Sequence, residues 1–549
     1  MRFAVGTPLF GLLVAAAGFA GCTTNNDYYD ASGGQSGQAG ASAHGGSTPT
    51  TGGGQGPTGS AGSSVVAGGG AASAFGGGPS GGGGEPSSSG ASGALNAAGA
   101  GGSVAGKPVD HDKASIYCAF PEIYSQSGKL SAITADLTRI KELGFSALYL
   151  LPITPRMKMA YPPHTWVNRP YSVTDYKAID PALGSDADLV ALVQKAHGLG
   201  MQVLLDQVLN HTAWDNDLIK SHPEYYVHSD GNRKNSASIV EPEGFPDTAQ
   251  LDYKTSGDGL TAYMEDMLSY WVKTFDVDGF RFDTADNPYG PMRKITLDFW
   301  KGLRTKLLAQ KPGLFLLGEA EDPELTAVVF DADYGWKVWG QYATGLQQVA
   351  KDGADAMSNM KAALAVQAPG QMTGFLPATR HMTLTQTWDA DVDLEIFGGV
   401  PNTMAAAVFN FTFTGLPMIS AGEEVGNDKG EYNSHTVVNW ASPNAATFTP
   451  FYKSLLALRN SSSALQQGDF AWLDNSSAQH MVSFTRSDSS GKFVILINFS
   501  NSDVSGSLTS PPSGTWKDVS PVGSPGGTTH MAPPNFALKS YDFAVFRSN

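Results

Sequence analysis

The sequence has few cysteines and few positive charges for its length. Two of its 549 residues are cysteine, so we expect no disulfide framework. Lysine and arginine number 35 against 51 aspartates and glutamates, which gives a formal net charge of −16. This acidity argues against nucleic acid as a partner. The chain also carries no nucleotide or redox cofactor motif, so we expect no organic cofactor.

An apolar segment opens the chain. A positive residue precedes the run from Val5 to Ala20, which at about 16 residues is shorter than the roughly 20 that a membrane span needs. The tripeptide AGC that ends at Cys22 resembles a bacterial lipoprotein cleavage box, with Phe19 at the position where leucine is usual. We therefore predict a signal peptide over residues 1–22. The alternative is an ordinary secretion signal with an incidental cysteine.

A lipid on Cys22 would anchor an exported protein to a membrane, at the cell surface or facing the periplasm. Cys118 is then the remaining cysteine, and its apolar surroundings favour a buried structural thiol. Residues 23–110 consist mostly of glycine, serine, alanine and threonine, so they cannot bury a core. We expect a disordered tether that spans roughly 50 Å as a random coil.

Four apolar runs downstream end in charged or polar residues. A parallel strand that is buried on both faces is written as a continuous apolar run. When such strands close into a (β/α)8 barrel, functional residues lie at their C-terminal ends. The four endings supply several carboxylates, which fits carboxylate-based glycoside chemistry. The runs are LLDQVLNH (Leu204 to His211), GFRFD (Gly279 to Asp283), LFLLGEA (Leu314 to Ala320) and TLTQTWD (Thr383 to Asp389).

Short apolar runs alternate with amphipathic segments over residues 111–441, which predicts a catalytic barrel. An irregular stretch at about 212–257 predicts a loop domain inserted after the third strand. Over residues 442–549 a last helix is followed by alternating runs, typical of a C-terminal antiparallel β-sandwich. The other predicted barrel strands are Ser115 to Phe120, Ala147 to Pro152, a sixth near Lys337 to Tyr342, a seventh at Thr383 to Trp388 and an eighth at Leu416 to Ala421.

The runs, in this order, resemble the α-amylase superfamily of retaining glycoside hydrolases. Two further segments, Asn168 to Ser185 and Phe413 to Gly426, are also similar to that family. The resemblance implies a (β/α)8 TIM barrel with a loop domain after strand three and a C-terminal β-sandwich. It implies a hydrolase of α-1,4 bonds in starch, glycogen or maltooligosaccharides. An α-glucosidase, an α-1,6-glucosidase and a transglycosylase of the same superfamily are the alternatives.

The resemblance assigns the three catalytic carboxyl groups. It places Asp283 as the nucleophile, Glu319 as the general acid/base and Asp389 as the third acid, which stabilises positive charge on the sugar ring. Arg281 lies two residues before Asp283, so both side chains leave the strand on one face. We expect the guanidinium to keep Asp283 ionised at neutral pH.

The resemblance also assigns residues around the sugar. His211 would donate a hydrogen bond to it, Tyr171 would stack on it, and Asp206 would support the network around Arg281. Asn210 matches a calcium ligand of many members, in keeping with the oxygen ligands that calcium prefers. The sequence leaves calcium open, because the other ligands are not legible and Asn287 stands where a histidine is usual.

One position departs from the family. The family has a histidine immediately before the third acid, where this chain has Trp388. Indole offers one donor and no acceptor, so Trp388 would stack on the sugar, donate through its ring N–H, or turn away to pack. This substitution motivates a further hypothesis, a non-catalytic glucan-binding lipoprotein. We expect a monomer whose partner is an α-glucan.

Overall fold

The computed structural model describes residues 111–158, 169–242, 245–285, 295–340, 345–364, 380–430 and 435–548. The predictions for the signal peptide, Cys22, the tether and Asn287 concern residues outside these ranges. Within them, every helix is too short or too polar to cross a membrane.

Eight parallel strands form the barrel. Their order around it is β5-β4-β3-β2-β1-β8-β7-β6, and a parallel bridge between Leu317 and Ala332 joins the two ends of the sheet. The fold class predicted from the sequence is therefore confirmed. The strands are β1 (Ile116–Ala119), β2 (Ala147–Leu150), β3 (Gln202–Val208), β4 (Gly279–Asp283), β5 (Phe315–Gly318), β6 (Asp333–Tyr334), β7 (His381–Leu384) and β8 (Leu416–Ser420).

Side chains on these strands alternate between two apolar clusters, because successive residues of a strand point to opposite faces. On β1, Ile116 and Cys118 point into the barrel, and Tyr117 and Ala119 pack outwards with the helices. The same alternation recurs on the other strands. This phase decides which polar residues reach the barrel axis.

Helices cover the outside of the barrel. Ser185 begins one of them with a capping box, in which its side chain accepts from the Asp188 N–H and the Asp188 side chain accepts in return. The longer helices are Leu130–Leu143, Asp186–Gly198, Asp258–Phe275, Leu297–Gln310, Pro323–Val328, Leu346–Asp352, Ala356–Ala363, Val400–Thr412 and Ala445–Asn460. The short ones are Pro121–Tyr124, Leu218–Ser221, Trp336–Trp339, Asp393–Phe397 and Ser463–Gln466.

Two strand predictions were wrong in position. The sixth strand is the pair Asp333–Tyr334, while the predicted range begins within the helical turn Trp336–Trp339. A two-residue strand leaves no periodicity to read in the sequence. The seventh strand ends at Leu384, so residues 385–389 form a loop. Trp388 and Asp389 lie in this loop, so the alternation of side chains along β7 does not set their directions.

The chain between β3 and the helix Asp258–Phe275 folds against the barrel mouth. Two short antiparallel strands, His211–Ala213 and Thr248–Gln250, pair there. The hydroxyl of Tyr253 donates to the Leu209 carbonyl at 2.7 Å and fastens the second strand to the end of β3. This pairing fixes the turn that carries His211.

Beyond the barrel, antiparallel strands form the C-terminal β-domain. A five-stranded sheet has the order β9-β10-β11-β15-β13, and β12 pairs with β14. One face of the large sheet packs on the barrel helices and the other packs under the small sheet. The strands are β9 (Asp469–Trp472), β10 (Met481–Asp488), β11 (Gly491–Asn498), β12 (Val504–Ser507), β13 (Trp516–Asp518), β14 (Asn535–Leu538) and β15 (Phe543–Ser548).

Candidate active site

Strand phase brings the predicted residues to one place. On β3, Asp206 shares the inward phase of Leu204, and β4 pairs so that Arg281 lies beside Asp206. On β5, Phe315 and Leu317 point inwards, and Glu319 continues that phase just past the end of the strand. The carboxylates therefore meet at the C-terminal end of the barrel, as expected for this fold.

Arg281 is the centre of the site. Its side chain is 3% exposed. Its Nη1 donates to Asp206 at 2.9 Å and to Asp283 at 3.1 Å, and its Nη2 lies 2.8 Å from Oε1 of Glu319. One guanidinium thus holds the predicted nucleophile and the predicted acid/base side by side. The planar fork of arginine suits such multiple contacts.

The surroundings of Asp283 shift the pKa of its carboxyl group. Burial raises its pKa well above the ordinary range, the negative charge of Glu319 raises it further, and Arg281 offsets this only in part. Arg281 therefore acts in the predicted direction, and the ionisation of Asp283 at neutral pH stays a prediction. Arg281 contacts both carboxyl groups, which keeps the predicted nucleophile and the predicted acid/base next to each other.

Thr284 follows the nucleophile in a left-handed backbone conformation, with φ of 44°. Its N–H donates to Oε2 of Glu319 at 2.7 Å, and its hydroxyl donates to Asp283 at 3.2 Å. A β-branched residue is disfavoured at positive φ, and such strain is typical of functional sites. Sequence reasoning missed Thr284, because its role depends on a backbone turn.

Asp389 lies on the loop after β7, and its backbone N–H donates to the Thr387 hydroxyl at 3.1 Å. Burial raises the pKa of Asp389 to about 6, and the charge of Glu319 adds to the shift. Arg281 acts in the opposite direction. The interactions with Glu319 and Arg281 place the third acid in the same electrostatic cluster as the predicted catalytic pair.

Asp206 supports Arg281 as predicted. It also accepts from the Tyr149 hydroxyl at 2.5 Å and from the Tyr171 hydroxyl at 3.2 Å. Tyr334 accepts from Nε of Arg281 at 3.2 Å. The sequence did not single out Tyr149 or Tyr334, although both stand in the inward phase of their strands and this phase was a usable signal.

His211 and Tyr171 border this network. Burial lowers the pKa of His211 to about 4, so its imidazole is neutral at neutral pH and offers one donor and one acceptor. The guanidinium carbon of Arg281 lies 5.5 Å from the centre of the Tyr171 ring. This contact places the predicted stacking residue beside Arg281.

Trp388 packs against neighbouring aromatic rings. Its ring meets Phe120 edge-on with centroids 4.7 Å apart, and its centroid lies 5.6 Å from that of His435. Its Nε1 is buried without an acceptor among the described residues. Trp388 also lines a cleft with Phe120, Leu151 and Val438. The ring thus packs against Phe120 at the edge of this cleft, and the roles raised for it at the sugar stay predictions.

The oxygens of Asn210 accept hydrogen bonds from a neighbouring amide, and its role as a calcium ligand stays a prediction. Its Oδ1 accepts from the side-chain amide of Gln250 at 2.9 Å, and its carbonyl accepts from the same nitrogen at 2.7 Å. Within the described ranges, no group of three or more histidine, cysteine, aspartate or glutamate side chains could hold a metal ion. Cys118 is buried as a free thiol, as predicted.

Three curated relatives are 23–27% identical to this chain, and they are named as a cyclomaltodextrinase, a maltogenic amylase and a neopullulanase. A cyclomaltodextrinase of Geobacillus thermopakistaniensis (strain MAS1) is 27% identical over 392 residues, which cover 68% of this chain and 62% of that protein. An intracellular maltogenic amylase of Bacillus subtilis (strain 168) is 25% identical, over 65% of this chain and 60% of that protein. The neopullulanase 2 of Thermoactinomyces vulgaris is 23% identical, over 71% and 66%. The alignments thus span under two thirds of these relatives.

Solved structures share the fold. The chain superposes on a maltogenic α-amylase from Thermotoga neapolitana with a TM-score of 0.62 and 22% identity, covering 80% of this chain and 97% of that one. An α-amylase from Lactobacillus plantarum gives a TM-score of 0.63 at 23% identity, covering 80% and 99%. The family model of the alpha amylase catalytic domain matches residues 96–446, which is more than half of the sequence. The chain therefore belongs to that family.

Proposed function

We propose that the protein hydrolyses α-1,4-glucosidic bonds of starch, glycogen or maltooligosaccharides by a retaining double displacement. One observation carries the proposal: Arg281 holds Asp283 through Nη1 and Glu319 through Nη2. Retaining enzymes need two carboxyl groups close together, about 5 to 5.5 Å apart, and contact with one guanidinium keeps Asp283 and Glu319 near each other. Membership of the alpha-amylase catalytic-domain family supports the glucan substrate.

In the first step, a carboxylate oxygen of Asp283 attacks the anomeric carbon. The bond to the leaving oxygen breaks, and Glu319 gives that oxygen its proton. Asp389 and the hydroxyl-binding residues stabilise the positive charge that develops on the ring. In the second step, Glu319 takes a proton from water, the water oxygen bonds to the anomeric carbon, and Asp283 leaves. Two inversions retain the configuration.

The same network weighs against a non-catalytic glucan-binding protein. Binding alone does not require one guanidinium to contact both Asp283 and Glu319. Trp388, which motivated that alternative, packs edge-on against Phe120. The strain at Thr284 further supports a working site, because its N–H is aimed at Glu319.

The test is product analysis with the purified full-length protein and soluble starch, maltoheptaose and an α-1,6 glucan. We expect early mixed oligosaccharides from starch, and none from Asp283→Asn. The matched control is Asp217→Asn, the same change at an exposed aspartate. Glucose alone, longer transfer products or activity confined to the α-1,6 glucan would assign the protein to an alternative in the superfamily. Binding without any product would refute the proposal.

We further propose that the protein is exported and anchored through a lipid on Cys22. The cleavage box at the end of the apolar segment supports this. Expressed in a Gram-negative host, the wild type should sediment with membranes, and Cys22→Ser should not. Equal membrane association of both proteins would contradict lipidation.

A further inference from the structure

The side-chain amide of Gln250 lies among three oxygens. Its Nε2 donates to the Asn210 carbonyl at 2.7 Å, to the Asn210 side-chain oxygen at 2.9 Å and to the Leu251 carbonyl at 3.3 Å. Gln250 is fully buried, with 0% of its surface exposed. A single nitrogen therefore sits at the centre of an oxygen cluster that water does not reach.

Chemistry fixes the orientation of this amide. Reversing it would place Oε1 against three acceptors, and oxygen cannot donate to any of them. In the orientation seen, Oε1 of Gln250 is buried without a partner among the described residues. An orphaned buried acceptor costs free energy. The arrangement tolerates that cost because the nitrogen end satisfies Asn210 and Leu251.

An oxygen cluster of this kind is also what a hard cation prefers. The three distances, 2.7 to 3.3 Å, are those of N–H···O bonds and exceed the 2.3–2.6 Å that calcium needs. We propose that the Gln250 amide takes the place of a cation, so that this part of the barrel mouth is held together without calcium. The proposal does not depend on which glucan is cleaved.

The amide stabilises the turn that presents His211 to the substrate. Beside it, the Leu251 N–H donates to the Asn210 carbonyl at 3.1 Å, and the Tyr176 hydroxyl donates to the His211 carbonyl at 2.8 Å. Gln250 itself pairs with His211 in the short antiparallel ladder. Loss of the amide should therefore disturb His211 as well as the local stability.

The first test uses the wild-type full-length protein. We expect metal analysis after dialysis to find no stoichiometric calcium, and the thermal unfolding midpoint to be the same in EDTA and in millimolar calcium. A midpoint that falls by several degrees in EDTA and is restored by calcium would overturn the proposal. This readout requires no activity, so it is independent of the proposed hydrolysis.

The second test exchanges the amide for a carboxylate. Gln250→Glu would bring a negative oxygen against three others, so we expect the midpoint in EDTA to fall by roughly 5 °C or more. Millimolar calcium should recover most of that loss, because the carboxylate and the three oxygens then form a ligand set. The control is Gln207→Glu, at another buried glutamine that is 2% exposed, and it should not respond to calcium.

Two outcomes of the second test would refute the proposal. The first is an unchanged midpoint for Gln250→Glu in EDTA. The second is a loss that calcium does not reverse and that equals the loss in Gln207→Glu, because it would reflect only the general cost of burying a carboxylate.

Discussion

Buried arginines in two regions of the molecule are held in opposite ways. At the barrel mouth Arg281 is surrounded by the carboxylates Asp206, Asp283 and Glu319. Between the barrel and the C-terminal β-domain, Arg459 and Arg486 are 0% exposed and donate to backbone carbonyls. The carbonyls are those of Phe411, Gly415 and Leu465 for Arg459, and of Thr412, Phe413 and Gly468 for Arg486.

The two regions shift the pKa values of their arginines in opposite directions. Burial by itself lowers the pKa of Arg281, but the charges of Asp206 and Glu319 raise it well above its ordinary value. Burial lowers the pKa of Arg459 to about 9 and that of Arg486 to about 10. Arg281 therefore holds the carboxylates Asp206, Asp283 and Glu319 together. The other two use their forked geometry to fasten the end of the helix Val400–Thr412 to the C-terminal β-domain.

Arg281→Lys should have the largest effect on catalysis. A lysine keeps the charge but cannot hold Asp283 and Glu319 at once, so we expect kcat on maltoheptaose to fall by at least about 100-fold. Arg459→Lys is the matched control and should leave kcat unchanged at 25 °C. A loss in Arg281→Lys smaller than about threefold would break the distinction between the two regions.

Arg459→Met should have the largest effect on stability. It removes a buried donor and leaves three carbonyls unsatisfied, so we expect the free energy of unfolding to fall by about 3–5 kcal/mol. Guanidinium denaturation followed by fluorescence measures the change, and kcat at 25 °C should stay at the wild-type value. A destabilisation below about 1 kcal/mol, or a loss of kcat in the folded variant, would contradict the structural role.

His530 offers an intermediate case, a cation held by carboxylates but remote from catalysis. Its Nδ1 lies 2.7 Å from Asp518 and its Nε2 lies 3.4 Å from Asp542. Burial alone lowers the pKa of His530, but the bonds to the two aspartates raise it to about 9. The stabilisation is fully present below the unfolded pKa of about 6.5 and is lost as pH rises through 9.

We therefore expect the unfolding midpoint of the wild type to decrease between pH 7 and pH 10. His530→Gln, which cannot titrate, should show a smaller decrease over this range. Thermal denaturation at matched ionic strength measures both. Parallel curves for the two proteins would show that His530 does not carry the effect.

Trp388→Phe should have the smallest effect. Phenylalanine keeps an edge-on contact with Phe120 and removes the Nε1 donor that has no acceptor in the described structure. We expect kcat/KM on maltoheptaose to change by less than about threefold, because phenylalanine preserves the packing against Phe120. A tenfold rise in KM would show instead that the N–H donates to a sugar hydroxyl.

Sequence reasoning reached the residues that regular strands place. Asp206, Arg281 and Glu319 end apolar runs, and a period of two puts each in the inward phase with Leu204 or Leu317. The fold class follows from the same pattern, since such runs alternate with helices, although the sixth strand is too short to form one. In a regular strand, the spacing of residues fixes the side on which their side chains lie. The sequence alone could therefore predict where these side chains point.

The sequence by itself thus determined the barrel, the C-terminal β-domain and the carboxylates at the strand ends. Tertiary structure alone decided the surroundings of Asp283, the packing of Trp388 against Phe120 and the insertion of the Gln250 amide among oxygens. Each of these depends on atoms brought together from distant segments, as when Glu319 meets Asp283 across two strands. Spacing along one segment carries no information about burial or about charge on another, and those two quantities set the chemistry.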